Sequence, residues 1–273
     1  VNILPDPSCT SSSPILQGGS VARAILESKK YEVRALARDV TQPNGQVLRD
    51  LGAEVVKGDL NDKASVETLK GAFMVTNFWD HFSKEKEVGT TFEPFLFLLP
   101  GYSALPGRRA GWNHFWFLWR PMTSVPAAAY FENFLGPWKP VKASDGVLHP
   151  ALPMGDVPMD GISVAVVGEV ICSIFNLPEK FVGKTVGLSA EALTVQQYAD
   201  ALSKGLGKEV RDAEITLEAY EKLEFPAAKE MTKMCHFYQM KPDCDSKLTH
   251  RLNPKVKSFS QFISKNQSAL KGT

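Results

Sequence analysis

The chain has 273 residues, 44% hydrophobic and 22% charged, as in an ordinary globular protein, so wholesale disorder is excluded. A net charge of +1, from 31 basic and 30 acidic residues, offers no footprint for a nucleic-acid backbone; no nucleic-acid contact is expected, and any bound anion must be held by local groups. Four sparse cysteines, Cys9, Cys172, Cys235 and Cys244, point to a reducing compartment, and no apolar run is long enough for a membrane span.

At the N-terminus, Val1–Leu4 is apolar but stops at Pro5, and 7–14 reads as loop with neither a basic flank nor an apolar run of signal-peptide length. No convincing first strand is expected there. Ser20 is placed to cap a helix whose Val21, Ala24, Ile25 and Leu26 share a face. Tyr31–Arg38 reads as a strand with Val33 and Ala35 on one side. Gln46–Leu51 then reads as a helix stopped by Gly52. Ala53–Lys57 is a short strand, 63–70 a helix ending at Gly71, and 72–75 another short apolar strand. Strands and helices alternating at this pitch predict an α/β fold with a doubly wound parallel sheet and right-handed crossovers.

From 89 to 120 the composition changes. Three of the five tryptophans, Trp112, Trp116 and Trp119, lie there with Pro94, Pro100 and Pro106, and no lysine occurs from 87 to 138. Neither helical nor strand periodicity runs through it, so an irregular insert is expected; an aromatic ligand or membrane-surface patch is the other reading. Beyond Pro121 the pattern becomes regular again. Val157–Asp160 reads as a turn and Ser163–Phe175 as an apolar helix. Thr194–Leu206 is the clearest helix, with Thr194 and Gln197 as a capping box, Val195, Tyr198 and Leu202 on one face, and Gly205 and Gly207 at its end. Further helices are expected near Leu217 and Pro226 and over Ser258–Asn266. The expected division is a nucleotide-binding domain over 1–145 and a smaller, mainly helical lobe over 146–273, interleaved with it.

A dinucleotide fold needs glycines between its first strand and first helix, because the pyrophosphate must approach backbone amides at the helix N-terminus. Only Gly18 and Gly19 stand there; Pro14 has no amide to donate and β-branched Ile15 resists positive φ. Arg38 ends the second predicted strand about twenty residues beyond the glycines, where an arginine binds the 2′-phosphate of NADP; a solvated arginine paired with Asp39 is the other reading. Asp59 and Leu60 follow the third strand and Thr76, Asn77 and Phe78 the fourth, at the sheet edge where ligands bind. No catalytic set emerges. A reductase tyrosine needs a lysine four residues on, and none of Tyr31, Tyr102, Tyr130, Tyr198, Tyr220 and Tyr238 has one. Cys235, His236, Cys244 and His250 match no zinc spacing, so no metal is expected.

Gln17-Gly18-Gly19-Ser20-Val21-Ala22, 52–59, Val75-Thr76-Asn77-Phe78-Trp79, 121–125, Tyr130-Phe131-Glu132-Asn133 and the run from 153 to 254 resemble animal NmrA-like family domain-containing proteins. The resemblance covers 15–88 and 121–273. It implies a Rossmann-like, atypical short-chain dehydrogenase fold that binds NADP(H) without a catalytic tyrosine-lysine pair. It also implies a redox sensor of cytoplasm and nucleus, whose oligomeric state (a homodimer among its forms) and protein partners follow the NADPH/NADP ratio. Carried over, Gln17 and Gly18 would lie by the pyrophosphate and Arg38 by the 2′-phosphate. Asp59, with Leu60 beside it, would approach the adenine, Thr76, Asn77 and Phe78 the ribose, and Tyr130, Phe131, Glu132 and Asn133 the nicotinamide half. Two departures stand out. The family's Gly-Gly-x-Gly loop aligns with Ser12-Ser13-Pro14-Ile15, and 89–120 does not resemble the family. Two further readings therefore stay open, a cofactor-free interaction module and an NADPH-dependent reductase of the isoflavone-reductase kind.

Overall fold

The computed structural model describes residues 2–3, 17–37, 39–58, 72–74, 95–98, 123–126, 128–144, 146–150, 152–223, 228–240 and 244–270. The chain divides into two compact units, 1–127 with 164–186, and 128–163 with 187–273. The first contains β1 (Asn2–Ile3), α1 (Gln17–Ser28), β2 (Arg34–Ala37), α2 (Pro43–Asp50), β3 (Glu54–Lys57), β4 (Ala72–Met74), β5 (Phe95–Leu98), β6 (Thr123–Pro126), α3 (Val164–Phe175) and α4 (Pro178–Phe181).

Its six strands form one sheet in the order β3-β2-β1-β4-β5-β6. β1, which the sequence did not lead one to expect, is only two residues long yet central: it pairs in parallel with β2 through Asn2↔Arg34 and with β4 through Asn2↔Ala72. Pro5 hides it, since a strand this short shows no period. β5 lies within the stretch read as irregular and runs antiparallel to both β4 and β6, so the sheet is mixed on that side. Four apolar residues in a row, Phe95–Leu98, carry no alternation that would reveal a strand. In β2, Ala35, Leu36 and Ala37 are all buried, the continuous run of a strand covered on both faces. The register Arg34↔Glu54 brings an exposed ion pair, Nε to Oε2 at 2.7 Å, across β2 and β3.

α1 starts at Gln17, three residues before its expected cap. Ser20 is buried inside the helix; its hydroxyl donates to the Ala165 carbonyl at 3.2 Å and accepts from the Gly168 amide at 3.1 Å, binding α1 to α3. α2 begins at Pro43, where a missing amide costs no helical bond, and is followed by Gly52 at φ 97°. The expected helix over 63–70 lies outside the described residues.

The second unit contains β7 (Ala129–Tyr130), a 3-10 helix (Phe131–Leu135), β8 (Val141–Lys142), β9 (Leu148–His149), β10 (Met159–Ile162), β11 (Glu191–Leu193), α5 (Val195–Leu206), α6 (Leu217–Glu221), α7 (Ala228–Gln239), α8 (Ser246–Leu252), α9 (Phe259–Lys265) and α10 (Gln267–Leu270). β11-β10-β7 form a three-stranded sheet and β8-β9 a hairpin. Phe131, Phe134, Tyr198 and Phe259 interlock in its core, with Tyr198 and Phe259 rings 4.7 Å apart and Phe131 and Phe259 5.1 Å apart. α5 has the anticipated capping box and ends on Gly207 at φ 65°; Gly205, expected at that end, lies within the helix. Met159 and Asp160, read as turn, begin β10, and α8 was not anticipated.

The cut between units does not fall at 145. Residues 164–186 belong with the first because α3 packs on α1, and 128–145 with the second because β7 pairs β10 through Gly161↔Ala129. Among the described residues no helix is long and apolar enough to cross a membrane.

Candidate functional site

In the first unit, β1, β2, β3 and β4 run parallel, so their carboxyl ends share one edge of the sheet. The strand order reverses at β1, flanked by β2 and β4, which is the switch point where open α/β sheets bind ligands. α1 is 12 residues long and follows β1. Its first turn, Gln17, Gly18, Gly19 and Ser20, carries no acidic side chain, so the positive end of the helix dipole is not neutralised from within. Gly18 is buried and Gln17 half-buried. Helix and charge therefore fit a phosphate group.

Arg38 directly follows the last residue of β2, Asp59 and Leu60 come soon after β3, and Thr76, Asn77 and Phe78 soon after β4; all six lie outside the described residues. Asp39, the alternative partner for Arg38, is described. One carboxylate oxygen accepts from the Thr41 amide at 2.9 Å and its hydroxyl at 2.6 Å, the other from Gln42 at 3.0 Å. These bonds from Thr41 and Gln42, with Lys57 adding a smaller pull, hold Asp39 below the usual carboxylate range.

Tyr130, Phe131, Glu132 and Asn133 belong to the second unit. Phe131 is 1% exposed and packs on Phe259 and Phe262, so its ring is core. Glu132 accepts a 2.6 Å hydrogen bond from the Ser163 hydroxyl. The Asn133 carbonyl closes the following turn by accepting from Gly136 and Trp138. Tyr130 is half-buried at the end of β7.

Four of the described tyrosines are shifted upward by their surroundings. Tyr198 is fully buried, donates to the Met159 carbonyl at 3.1 Å, and is pushed up by burial and by Glu191 and Asp160. Burial also raises Tyr238, beside Cys244, Cys235 and Asp160, and brings Tyr220 to about 12. Tyr31 is raised by burial and by Cys172. None of these phenols has a cation among the groups that shift it, whereas an acid-base tyrosine needs one. Cys235 is wholly buried and pushed up to about 12, an inert core thiol, and no metal-holding cluster occurs among the described residues.

The model of the NmrA-like family matches residues 16–92 and 120–264. The chain belongs to the NmrA-like family. The unmatched interval, 93–119, falls inside the stretch that composition sets apart. An NmrA-like family domain-containing protein of Dictyostelium discoideum is 28% identical over 230 residues, 71% of this chain and 75% of that protein. The NmrA-like oxidoreductase cpsB of Aspergillus campestris is 25% identical over 241 residues, 71% of each. Among solved structures, the negative transcriptional regulator NmrA in complex with NADP superposes with a TM-score of 0.68 at 17% identity, covering 99% of this chain and 96% of that one. Citrobacter triphenylmethane reductase gives 0.69 at 14% identity over 98% and 99%. At such identities these structures show the fold: this NmrA-like chain is Rossmann-like. The Ser20–Gly168 contact that seats α1 escaped the sequence; its signal was a lone glycine inside the largely apolar α3.

Proposed function

We propose that the chain is an NADP(H)-responsive regulatory protein without dehydrogenase activity, acting on a protein partner in cytoplasm or nucleus. The observation that carries it is the pairing of an acid-free α1 N-terminus at the sheet's switch point with phenols that burial and anionic neighbours push away from acid-base work. Solved relatives support the cofactor: NmrA was crystallised with NADP and with NAD, and the Escherichia coli quinone oxidoreductase QOR2 with NADPH. In this reading Gln17 and Gly18 meet the pyrophosphate and Arg38 the 2′-phosphate. Asp59 and Leu60 meet the adenine, Thr76, Asn77 and Phe78 the ribose, and Tyr130 to Asn133 the nicotinamide half. The cofactor, where bound, would supply a hydride-carrying ring; the chain's residues bind and orient it.

Titration of the purified chain with NADPH, followed by fluorescence or melting temperature, tests the reading, beside a variant in which Ser12→Gly, Ser13→Gly, Pro14→Thr and Ile15→Gly restore the loop. Each recovered charge-assisted amide bond is worth about 1.5–3 kcal/mol, so two of them tighten binding roughly 10²-fold or more. No saturable response in either protein sinks the cofactor. The oxidoreductase reading draws on the names of the Aspergillus relatives, and sustained NADPH oxidation with carbonyl or enone substrates would establish it instead.

A further inference from the structure

α7 in the second unit exposes Lys229, Lys233, His236 and Phe237, and Met240 is exposed in the turn directly after it. Steps of four, three and one residues keep the four within one side of the helix, and the Met240 amide, bonded to the Phe237 carbonyl, continues from that end. Ala228 and Cys235, a heptad apart, are buried on the other side, so α7 already has its core face and this is a second one. Phe237 is 41% and Met240 64% exposed, large apolar side chains a turn apart. Lys229 and Lys233 have no ion pair or hydrogen bond among the described residues. The five-residue arc holds no acid. It is polarised along its length of about 16 Å, with lysines at the amino end and apolar side chains at the carboxyl end.

We propose that this face docks an acidic, amphipathic helical segment of a partner protein, its carboxylates on Lys229 and Lys233 and its apolar side chains on Phe237 and Met240. Charge complementarity selects the occupant. An anionic bilayer is a poorer fit: two lysines give only roughly thirty-fold partitioning, short of stable attachment. On a second copy, the exposed apolar pair of Val47 in α2 and Leu51 just after it is flanked by Asp50 and Glu54, which Gln46 and Arg34 engage. The proposal deepens the partner side of the regulatory reading and rests on it only for there being a protein partner.

The test uses the full chain without cofactor, so its failure leaves the NADPH response standing. A fluorescein-labelled helical peptide of about 15 residues, leucines on one face of its amino half and glutamates on the same face of its carboxyl half, is titrated by anisotropy. Saturable binding is expected, weakened at least tenfold in Lys229→Glu/Lys233→Glu and in Phe237→Ser/Met240→Gln, with melting temperatures unchanged. A peptide with lysines for glutamates should regain binding to the charge-reversed variant, a rescue that a folding defect cannot give. Failure of the acidic peptide to saturate overturns the proposal. So do equal binding by both variants, sedimentation with phosphatidylserine vesicles in place of peptide binding, and concentration-dependent self-association that Phe237→Ser/Met240→Gln abolishes.

Discussion

Gly168→Ala puts one methyl group where α1 and α3 cross. A Cβ at 168 would lie 2.1 Å from the Ser20 carbonyl oxygen, 2.4 Å from its carbon and 2.8 Å from its Oγ. Two of those atoms are backbone, so no rotamer relieves the clash, and the helices must part by about 1 Å or more. Overpacking of this kind costs about 1–3 kcal/mol, and parting also breaks the bonds from Gly168 N to Ser20 Oγ and from Ser20 Oγ to Ala165 O, at about 1 kcal/mol each. Alanine's better helix propensity returns about 1 kcal/mol, leaving a net loss of about 3 kcal/mol and a fall in Tm of roughly 6–12 °C. Urea and thermal unfolding by circular dichroism measure it, with Ser20→Ala as the control that loses the hydroxyl without a clash, at about 1 kcal/mol. Because α1 carries Gln17 and Gly18, NADPH affinity should fall with stability. A Gly168→Ala protein as stable as its parent, or more stable by alanine's propensity alone, would refute the close crossing and the seating of α1 built on it.

Arg38→Ala should lower affinity for NADPH by about 1.5–3 kcal/mol while leaving NADH unchanged, measured by fluorescence titration on the loop-restored chain; an equal loss for both removes Arg38 from the 2′-phosphate. Asp160 is raised by burial, against a lowering hydrogen bond from Ser189. Its folded state holds the proton more tightly than the unfolded chain, so its contribution is fullest below about pH 4 and is lost as pH rises through the raised value. Asp160→Asn should therefore gain urea stability relative to the parent between pH 4 and neutrality, and parallel profiles would contradict the shift.

The elements legible in the sequence were those long enough to show a period or closed by a chemical signal. α5 announced itself through Thr194, Gln197 and Gly207, and β3 through its β-branched pair and Gly58. What escaped was set by tertiary pairing. β1 is two residues that become a strand only because β2 and β4 flank them, and Phe95–Leu98 pairs on both sides with no alternation to show it. Ser20 misled for an instructive reason: its hydroxyl suits a cap, yet the glycine opposite it, 148 positions on, claims it for a helix crossing. For the proposed site, what the sequence offered was spacing from strand ends, and the parallel run of β1 to β4 gathers those ends at one edge. Phe131 came from the resemblance alone, and its ring is core.

The energetics of the dinucleotide edge decide which of the two proposed surfaces dominates. In the proposed site α1 brings an acid-free turn and Arg38 would add a cation, together worth about one charge-assisted pair and a dipole contribution of about 0.3–1 kcal/mol. Without loop glycines the proposed site would forgo two or more amide bonds at about 1.5–3 kcal/mol each, a loss the retained groups would offset only in part. A ligand moves an equilibrium only by its differential affinity for two states, and only when its concentration reaches its Kd. Where the parent chain's Kd exceeds the working NADPH concentration, the cofactor would shift no equilibrium. The proposed α7 face would still bind its partner there, because its lysines and apolar side chains need no nucleotide.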